Sequence, residues 1–507
     1  MIKSLSEDLD INLQQIKEEL NKCSDVVYRE FIFAQNERIR LALIYIDGLA
    51  DPGQISDQIM RALTLEVPLT VSGRVITKAG ALEFIKERGL CSPQLKETDQ
   101  LQDIIHAILS GDTVLLVDGQ AMALVNGTRG WEMRSVGETQ AEPTARGPRE
   151  SFVETLRINT ALIRRKIKSP NLKIETLRLG KVSDTDVALV YIDGIVDEKL
   201  VAEVKSRLER IEVDAILESG YIEELLEDNP WTPFPTIYHT EKPDRAAAML
   251  LEGRVVIMVD GTPTALTIPN LFVEYLQAPD DYYERSIFAS AVRLIRFISM
   301  IVSLILPSLY IAVLSFHHEL LPTPLLLGIT AQREVVPFPV FLEVLIVEVA
   351  FEILREAGNR LSQSIGPVVS IVAAMVLGLV SVQAGLVTAI TVIVVVFTGM
   401  ASFVFAYSPG VSFRLLRFFL MVLSGALGLV GLISGAAIIA IHMCTLRSLG
   451  VPYLAPLAPT IGADLTDSVY RAPWWAMLSR PRLITGRNRK RQGWGLKPRP
   501  SKKRVKR

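Results

Sequence analysis

The chain has 507 residues, and its 54 Lys and Arg nearly balance 55 Asp and Glu, yet thirteen of the basic residues crowd into Arg480–Arg507, where no acidic residue occurs. Mean hydropathy is +0.32 although 21% of side chains are charged, and residues 361–413 hold no charge at all, far more than the ~20 apolar residues that cross a bilayer. Collagen-like, disordered and purely soluble classes are excluded, which leaves an integral membrane protein with a large soluble part.

The N-terminal stretch MIKSLSEDLDINLQQIKEEL is amphipathic and acidic and lacks an apolar core, so it reads as the start of a cytoplasmic domain rather than a cleaved signal. Cys23, Cys91 and Cys444 are odd in number and far apart, which indicates neither a disulfide framework nor a zinc site. Up to about residue 280, short strand-like runs alternate with helical stretches, an α/β pattern. An internal repeat organises it. LALIYIDGLAD at 41–51 returns as VALVYIDGIVD at 187–197, and ILSGDTVLLVDG at 108–119 returns as LLEGRVVIMVDG at 250–261. Two motifs recurring in one order predict two homologous α/β subdomains, about 15–140 and 170–275.

Each repeated run ends in Asp-Gly, as a buried strand does when it leaves a sheet through a tight turn. Asp47, Asp118, Asp193 and Asp260 are therefore either turn residues bonding their own backbone, the simpler reading, or ligand or metal groups at the strand ends. No phosphate-binding loop, GxGxxG or HExxH occurs, and no cofactor or metal is expected. Residues 139–167 open as a Pro/Gly linker and continue as a connector helix with Arg157, Arg164, Arg165 and Lys166. That helix faces either lipid phosphates or an acidic partner, or it is a solvated connector. Four prolines between Asp228 and Asp244 predict an extended loop.

Four spans are expected in the second half: Phe297–Phe316, which contains Pro307 and follows Arg285, Arg293 and Arg296; about 366–383; about 386–407; and Phe418–Ile441, flanked by Arg414 and Arg417 before and Arg447 after. Val335–Leu354 is as apolar but carries Glu343, Glu348 and Glu352. Glu348 and Glu352 fall ~40° apart on a helix, with Glu343 ~140° from the first. Two readings stand: a helix lining a pore or cavity, or an amphipathic helix on the membrane surface with Glu348, Glu352 and Arg355 in water. Glu352 also has Arg355 and Arg360 as alternative ion-pair partners. Counting Val335–Leu354 as a span, and Ser448–Ala463 as a further or re-entrant element, gives four to six spans. An even count keeps both the N-terminal domain and the tail cytoplasmic. The resulting organisation is 1–140 first subdomain, 141–169 linker and connector helix, 170–280 second subdomain, 281–463 α-helical transmembrane domain, and 464–507 basic cytoplasmic tail. Beside a membrane, that tail reads as an anchor to anionic lipid, with no nucleic acid as partner.

Several strings resemble the A subunit of the bacterial spore germinant receptors, the GerA family: RGPRESFVETL at 146–156, DYYERSIFAS at 281–290, PFPVFLEVLIVEVAFEILREAG at 337–358, LRSLGVPYLAPLAP at 446–459 and RAPWWAM at 471–477. The resemblance runs from about Ser24 to Met477. It implies an integral protein of the spore inner membrane that acts with a permease-like B subunit and a lipoprotein C subunit. It also implies nutrient recognition mainly by the B subunit, and an A subunit that homo-oligomerises into a cation-conducting path. On that reading Glu348 first, and then Glu343, are the candidate pore-lining residues, with Glu352 third. The stage V sporulation AF proteins, accessory channels that amplify germination, are similar in the membrane half. Thr155–Ile167 and Tyr45–Asp51 lie closer to the receptor A subunits. A secondary transporter using the same glutamates and a membrane-bound enzyme acting at the Asp-Gly strand ends are the competing classes. The enzyme has only His106, His239, His317, His318 and His442 to draw on.

Overall fold

The computed structural model describes residues 4–33, 39–66, 78–86, 95–130, 146–360, 378–404 and 407–499. The chain divides into two compact units, the first formed by 1–228, 237–269 and 478–498, the second by 229–236 and 270–477 with the chain end.

The first unit holds two five-stranded antiparallel sheets of one design. In chain order its first half is α1 (Leu9–Glu19), β1 (Val26–Ile32), β2 (Arg40–Ile46), β3 (Leu95–Thr98), α2 (Leu101–Leu109), β4 (Thr113–Val117) and β5 (Ala123–Asn126). The second half is α3 (Leu156–Lys166), β6 (Leu172–Leu179), β7 (Thr185–Ile192), α4 (Glu198–Glu209), α5 (Ser219–Leu226), β8 (Tyr238–Thr240), α6 (Pro243–Leu251), β9 (Val255–Val259) and β10 (Ala265–Ile268). The sheet orders β1-β2-β4-β5-β3 and β6-β7-β9-β10-β8 correspond strand for strand. The repeated sequence motifs are the two central strands of each sheet.

Those strands read as unbroken apolar runs because both faces of the sheet are covered. Ala42, Ile44 and Ile46 pack beneath α1 and α2, while Leu41 and Leu43 pack with Ile55, Ile59 and Leu63 on the opposite face. Gly48, Gly119, Gly194 and Gly261 all have positive φ, as the Asp-Gly turns require. The helix expected to be a connector is corrected: α3 is the first helix of the second half and occupies the place of α1. Leu156, Leu162 and Ile163 sit in the second core. A buried asparagine performs the same task in each copy: Asn12 clamps the backbone of Ser6 in both directions, and Asn159 does so for Val153. The basic tail is also partly structural, since Gly486 donates to Ile195 O, Thr485 to Glu252 O and Arg491 to Glu252.

The second unit is helical: α7 (Ser286–Phe316), α8 (Thr323–Arg333), α9 (Val340–Arg360), α10 (Ala389–Ser402) and α11 (Tyr407–Thr445). Two helical stretches are long and apolar enough to cross a membrane, Ser286–Phe316 and Gly410–Thr445, and α10 is a shorter apolar helix. The expected span at 297–316 thus starts earlier and takes Arg293 and Arg296 into the helix. Of the expected span at 366–383, residues 366–377 lie outside the described residues, and the span at 386–407 is replaced by the 14 residues of α10. The span at 418–441 is broken. Gly428 adopts φ 61° and ψ −139°, and α11 folds back there into two antiparallel legs, α11a before it and α11b after it. Phe413 on the first leg and His442 on the second both lie within about 6 Å of the Phe234 ring (5.8 and 6.2 Å), which one straight helix could not allow.

Phe234 belongs to residues 229–236, the stretch expected to be a loop. It is an extended strap whose carbonyl groups are taken up by side chains: Ser412 donates to Pro233 O, Asn270 and Tyr275 to Pro235 O, and Ser448 to Thr236 O. The loop reading holds only that far, because Tyr238–Thr240 is a strand and α6 begins on Pro243, where proline suits the first helical turn.

Candidate functional site

Val335–Leu354 does not have its carboxylates in water. Glu343 and Glu348 on α9 are fully buried within the second unit, so the surface-helix orientation with exposed Glu348, Glu352 and Arg355 is corrected. Carboxylates in an apolar helix bundle persist only where something compensates them, and here three sets of partners do so. Glu343 Oε1 accepts from Thr388 N at 2.6 Å and Thr388 Oγ1 at 2.8 Å, capping the start of α10, while Oε2 faces Arg333 Nη1 at 3.4 Å. The Thr388 hydroxyl continues to Thr391 Oγ1 at 3.0 Å, and Tyr310 OH on α7 meets Thr391 Oγ1 at 3.0 Å.

Five residues farther along α9, Glu348 Oε2 lies 3.1 Å from Arg417 Nη2 on α11a. Glu352 gathers three cations: Arg417 at 2.9 Å, Arg414 at 3.3 Å and Arg355 at 3.3 Å. Of the two expected partners of Glu352, Arg355 is the one that pairs, and Arg360 turns to Glu356 instead. Arg355 also stacks on Phe351 and Phe403 and donates to Ser402 Oγ at 2.9 Å. Because Glu343 meets the start of α10 and Arg355 its end, α9 and α10 run parallel. Sequence reasoning treated Arg414 and Arg417 as flanks of a span and missed them as partners. The available signal was their spacing of three residues, which matches a carboxylate pair four apart.

The four strand-end aspartates are not brought together. Asp47 and Asp260 line a cleft of about 630 Å3 in the first unit, with Asp25, Asp186, Arg157 and Thr155. There Asp47 pairs with Arg157 at 2.9 Å, and Asp260 Oδ1 accepts from Leu156 N at 2.9 Å at the start of α3. Asp118 lies elsewhere, paired with Lys78 at 2.8 Å, and Asp193 does not line the cleft. The basic residues of α3 are committed within the unit as well: Arg164 to Asp25, and Arg165 and Lys166 to Glu150. Burial works against the Glu150 carboxylate, but Lys166 and Arg165 hold it below its ordinary range. His239 is half-buried on β8, and desolvation pushes its imidazole below its ordinary range. The cleft therefore presents satisfied side chains rather than a nucleophile with a base.

A duplicated antiparallel α/β unit joined to an apolar helical unit with an internal charge network defines the class: a membrane-type protein with a large folded soluble part. The chain belongs to the family described as Bacillus/Clostridium GerA spore germination protein, whose family model matches residues 14–483. It is 43% identical to Spore germination protein KA of Bacillus subtilis (strain 168), over 98% of this chain and 90% of that one. It is 38% identical to Spore germination protein B1 of the same organism, over 94% and 97%, and 35% identical to GerLA of Bacillus cereus, over 93% and 94%. Among solved structures, the N-terminal domain of the A subunit of the Bacillus megaterium spore germinant receptor GerK3 is 38% identical; the match covers 54% of this chain and 98% of that one, with a TM-score of 0.43.

Proposed function

We propose that this chain is the A subunit of a nutrient germinant receptor in the spore inner membrane, acting with a permease-like B subunit and a lipoprotein C subunit, and that it oligomerises to pass cations when germinant binds. It carries no chemistry of its own on this reading. The observation that carries the conducting role is the set of carboxylates on α9, the fully buried Glu343 and Glu348 and the half-buried Glu352, inside otherwise apolar helices. Repeated around an axis, such carboxylates favour cations over anions. The directions of the described helices support an even count of crossings: α7 runs outward, α9 and α10 both run back, and the two legs of α11 run outward and back, which makes six crossings once the chain between α9 and α10 is counted as returning outward. Both the N-terminal domain and the tail would then lie in the cytoplasm.

Reconstitution into liposomes tests the reading. With the B and C subunits present, nutrient should trigger monovalent cation release that disappears when this chain is omitted. Release that needs neither partner nor nutrient would point instead to an accessory channel of the stage V sporulation AF type.

A further inference from the structure

Arg417 stands where α9 meets α11a. Its Nη2 donates to Glu352 Oε1 at 2.9 Å and lies 3.1 Å from Glu348 Oε2, off the angle of a hydrogen bond. Arg414, one turn earlier on the same leg, reaches the other Glu352 oxygen at 3.3 Å. Arg417 and Glu348 are both fully buried. Among the described residues, neither Glu348 oxygen has a hydrogen-bond partner, and neither do Arg417 Nε and Nη1 or Arg355 Nε. Buried charged groups in one settled arrangement normally use their donors and acceptors, because an unmet one in low dielectric is costly.

Two other buried carboxylates in the chain show the contrast. Asp25 accepts from Arg164 Nε and Nη2 at 2.7 and 2.8 Å, one bond to each oxygen, and Glu343 takes two bonds from Thr388. Glu348 alone among these is held by charge without a bond. Its cation, moreover, has a second carboxylate already in hand, so Arg417 would not be left uncompensated if Glu348 moved away.

We propose that Arg417 is a charge latch between α9 and α11a: it holds Glu348 in the closed state, and opening moves Glu348 off Arg417 into the ion path while Arg417 stays with Glu352. This rests on the conducting role proposed above. It makes Arg417 a positioning residue for conduction and gives α9 two discrete seats, as switching elements require.

The test uses the full chain with its partner subunits in liposomes, comparing wild type with Arg417→Gln, Arg417→Lys, Glu348→Gln and the exchanged pair Glu348→Arg with Arg417→Glu. Two readouts are taken without nutrient: basal cation release, and amide hydrogen exchange across α9. The latch predicts that Arg417→Gln raises basal release about tenfold or more and speeds α9 exchange similarly. Arg417→Lys, which keeps the charge but is shorter and lacks the rigid planar fork, gives a smaller rise. Glu348→Gln speeds α9 exchange as much but releases with weaker cation preference, and the exchanged pair returns both readouts toward wild type. Wild-type basal release and α9 exchange in folded Arg417→Gln and Arg417→Lys would overturn the latch. So would a loss of thermal stability in which neither readout rises. If wild type passes no ions even with nutrient, the conducting reading falls by itself, and α9 exchange still decides whether Arg417 holds the helix.

Discussion

Arg164 and Arg417 are carried into equally buried sites, and their partners make them different kinds of residue. Arg164 binds Asp25 in a fork and spends its remaining nitrogen on the Leu172 carbonyl at 2.9 Å. Removing it strands a carboxylate that is itself buried, so Arg164→Ala should cost about 3–5 kcal/mol. Cys23, buried beside this pair with its thiol toward Leu172 O, supplies a local readout: its labelling by a thiol reagent should accelerate in the variant, and an unchanged rate would refute the assignment. Glu223 gives a pH dependence. Burial first, then Glu227 and Glu218, push its carboxyl up to about 7 from an ordinary 4.5. The folded chain thus keeps a proton the unfolded chain has released, and stability falls as pH rises from about 4.5 through 7. Glu223→Gln should flatten that slope and raise stability at pH 8 by about 1 kcal/mol, read as a shift in the unfolding midpoint of the detergent-solubilised chain. Residues of the Asp-Gly turns were legible in the sequence because turn chemistry is local. Arg355 beside Glu352 was legible for the same reason, but the α11a partners of Glu348 and Glu352 were not, because Arg414 and Arg417 are more than sixty residues away and read naturally as a span's positive flank.

At the scale of elements, α11 shows where hydropathy misleads. From Phe418 to Ile441 the composition is evenly apolar, and an apolar run of that length reads as one span. What divides it is backbone geometry at one residue. Gly428 occupies a conformation suited to the first central position of a type II′ turn, and a Cβ there would sit 3.0 Å from Phe316 Cβ and from the His317 ring. Gly435 lets the returning leg approach Leu420 and Leu423 closely. The signal present in the sequence was the glycine spacing at 425, 428, 431 and 435, which also occurs in straight membrane helices and so decided nothing. Gly428→Ala should destabilise the second unit by about 1–3 kcal/mol through backbone strain and contact with Phe316. A melting midpoint in detergent equal to wild type would contradict the fold-back. The α/β half was legible to a greater depth, since a repeated strand motif fixes a repeated sheet position. The role of α3 escaped, because a helix that opens a repeat looks like a connector until its core contacts are known, and so did β8 and the start of α6, which lie within a proline-rich stretch that reads as a loop.

For the whole molecule, the fold-back changes the arithmetic of crossings. A single crossing by α11 would put the end of its second leg, with Cys444, on the side where α7 ends, together with the basic tail. Two legs return Cys444 to the side where α11 begins, which, with the N-terminal domain cytoplasmic as proposed, would satisfy the preference of Lys- and Arg-rich segments for the cytoplasm. Cys444 is exposed at the foot of α11b, and Glu319 lies just beyond the far end of α7. With Cys23 and Cys91 replaced by serine, a membrane-impermeant maleimide should label Cys444 only from the face that carries the N-terminal domain. A cysteine placed by Glu319→Cys, with Cys444 also replaced, should react only from the opposite face. Labelling of both positions from one face would rule out six crossings and leave α11 as a single pass. The outcome also bears on the charge network. In the six-crossing arrangement Glu352, Arg355, Arg414 and Arg417 lie toward the cytoplasmic ends of their helices, with Glu343 nearer the outer face. An ion entering from outside would then meet the bonded carboxylate first and the latched one second.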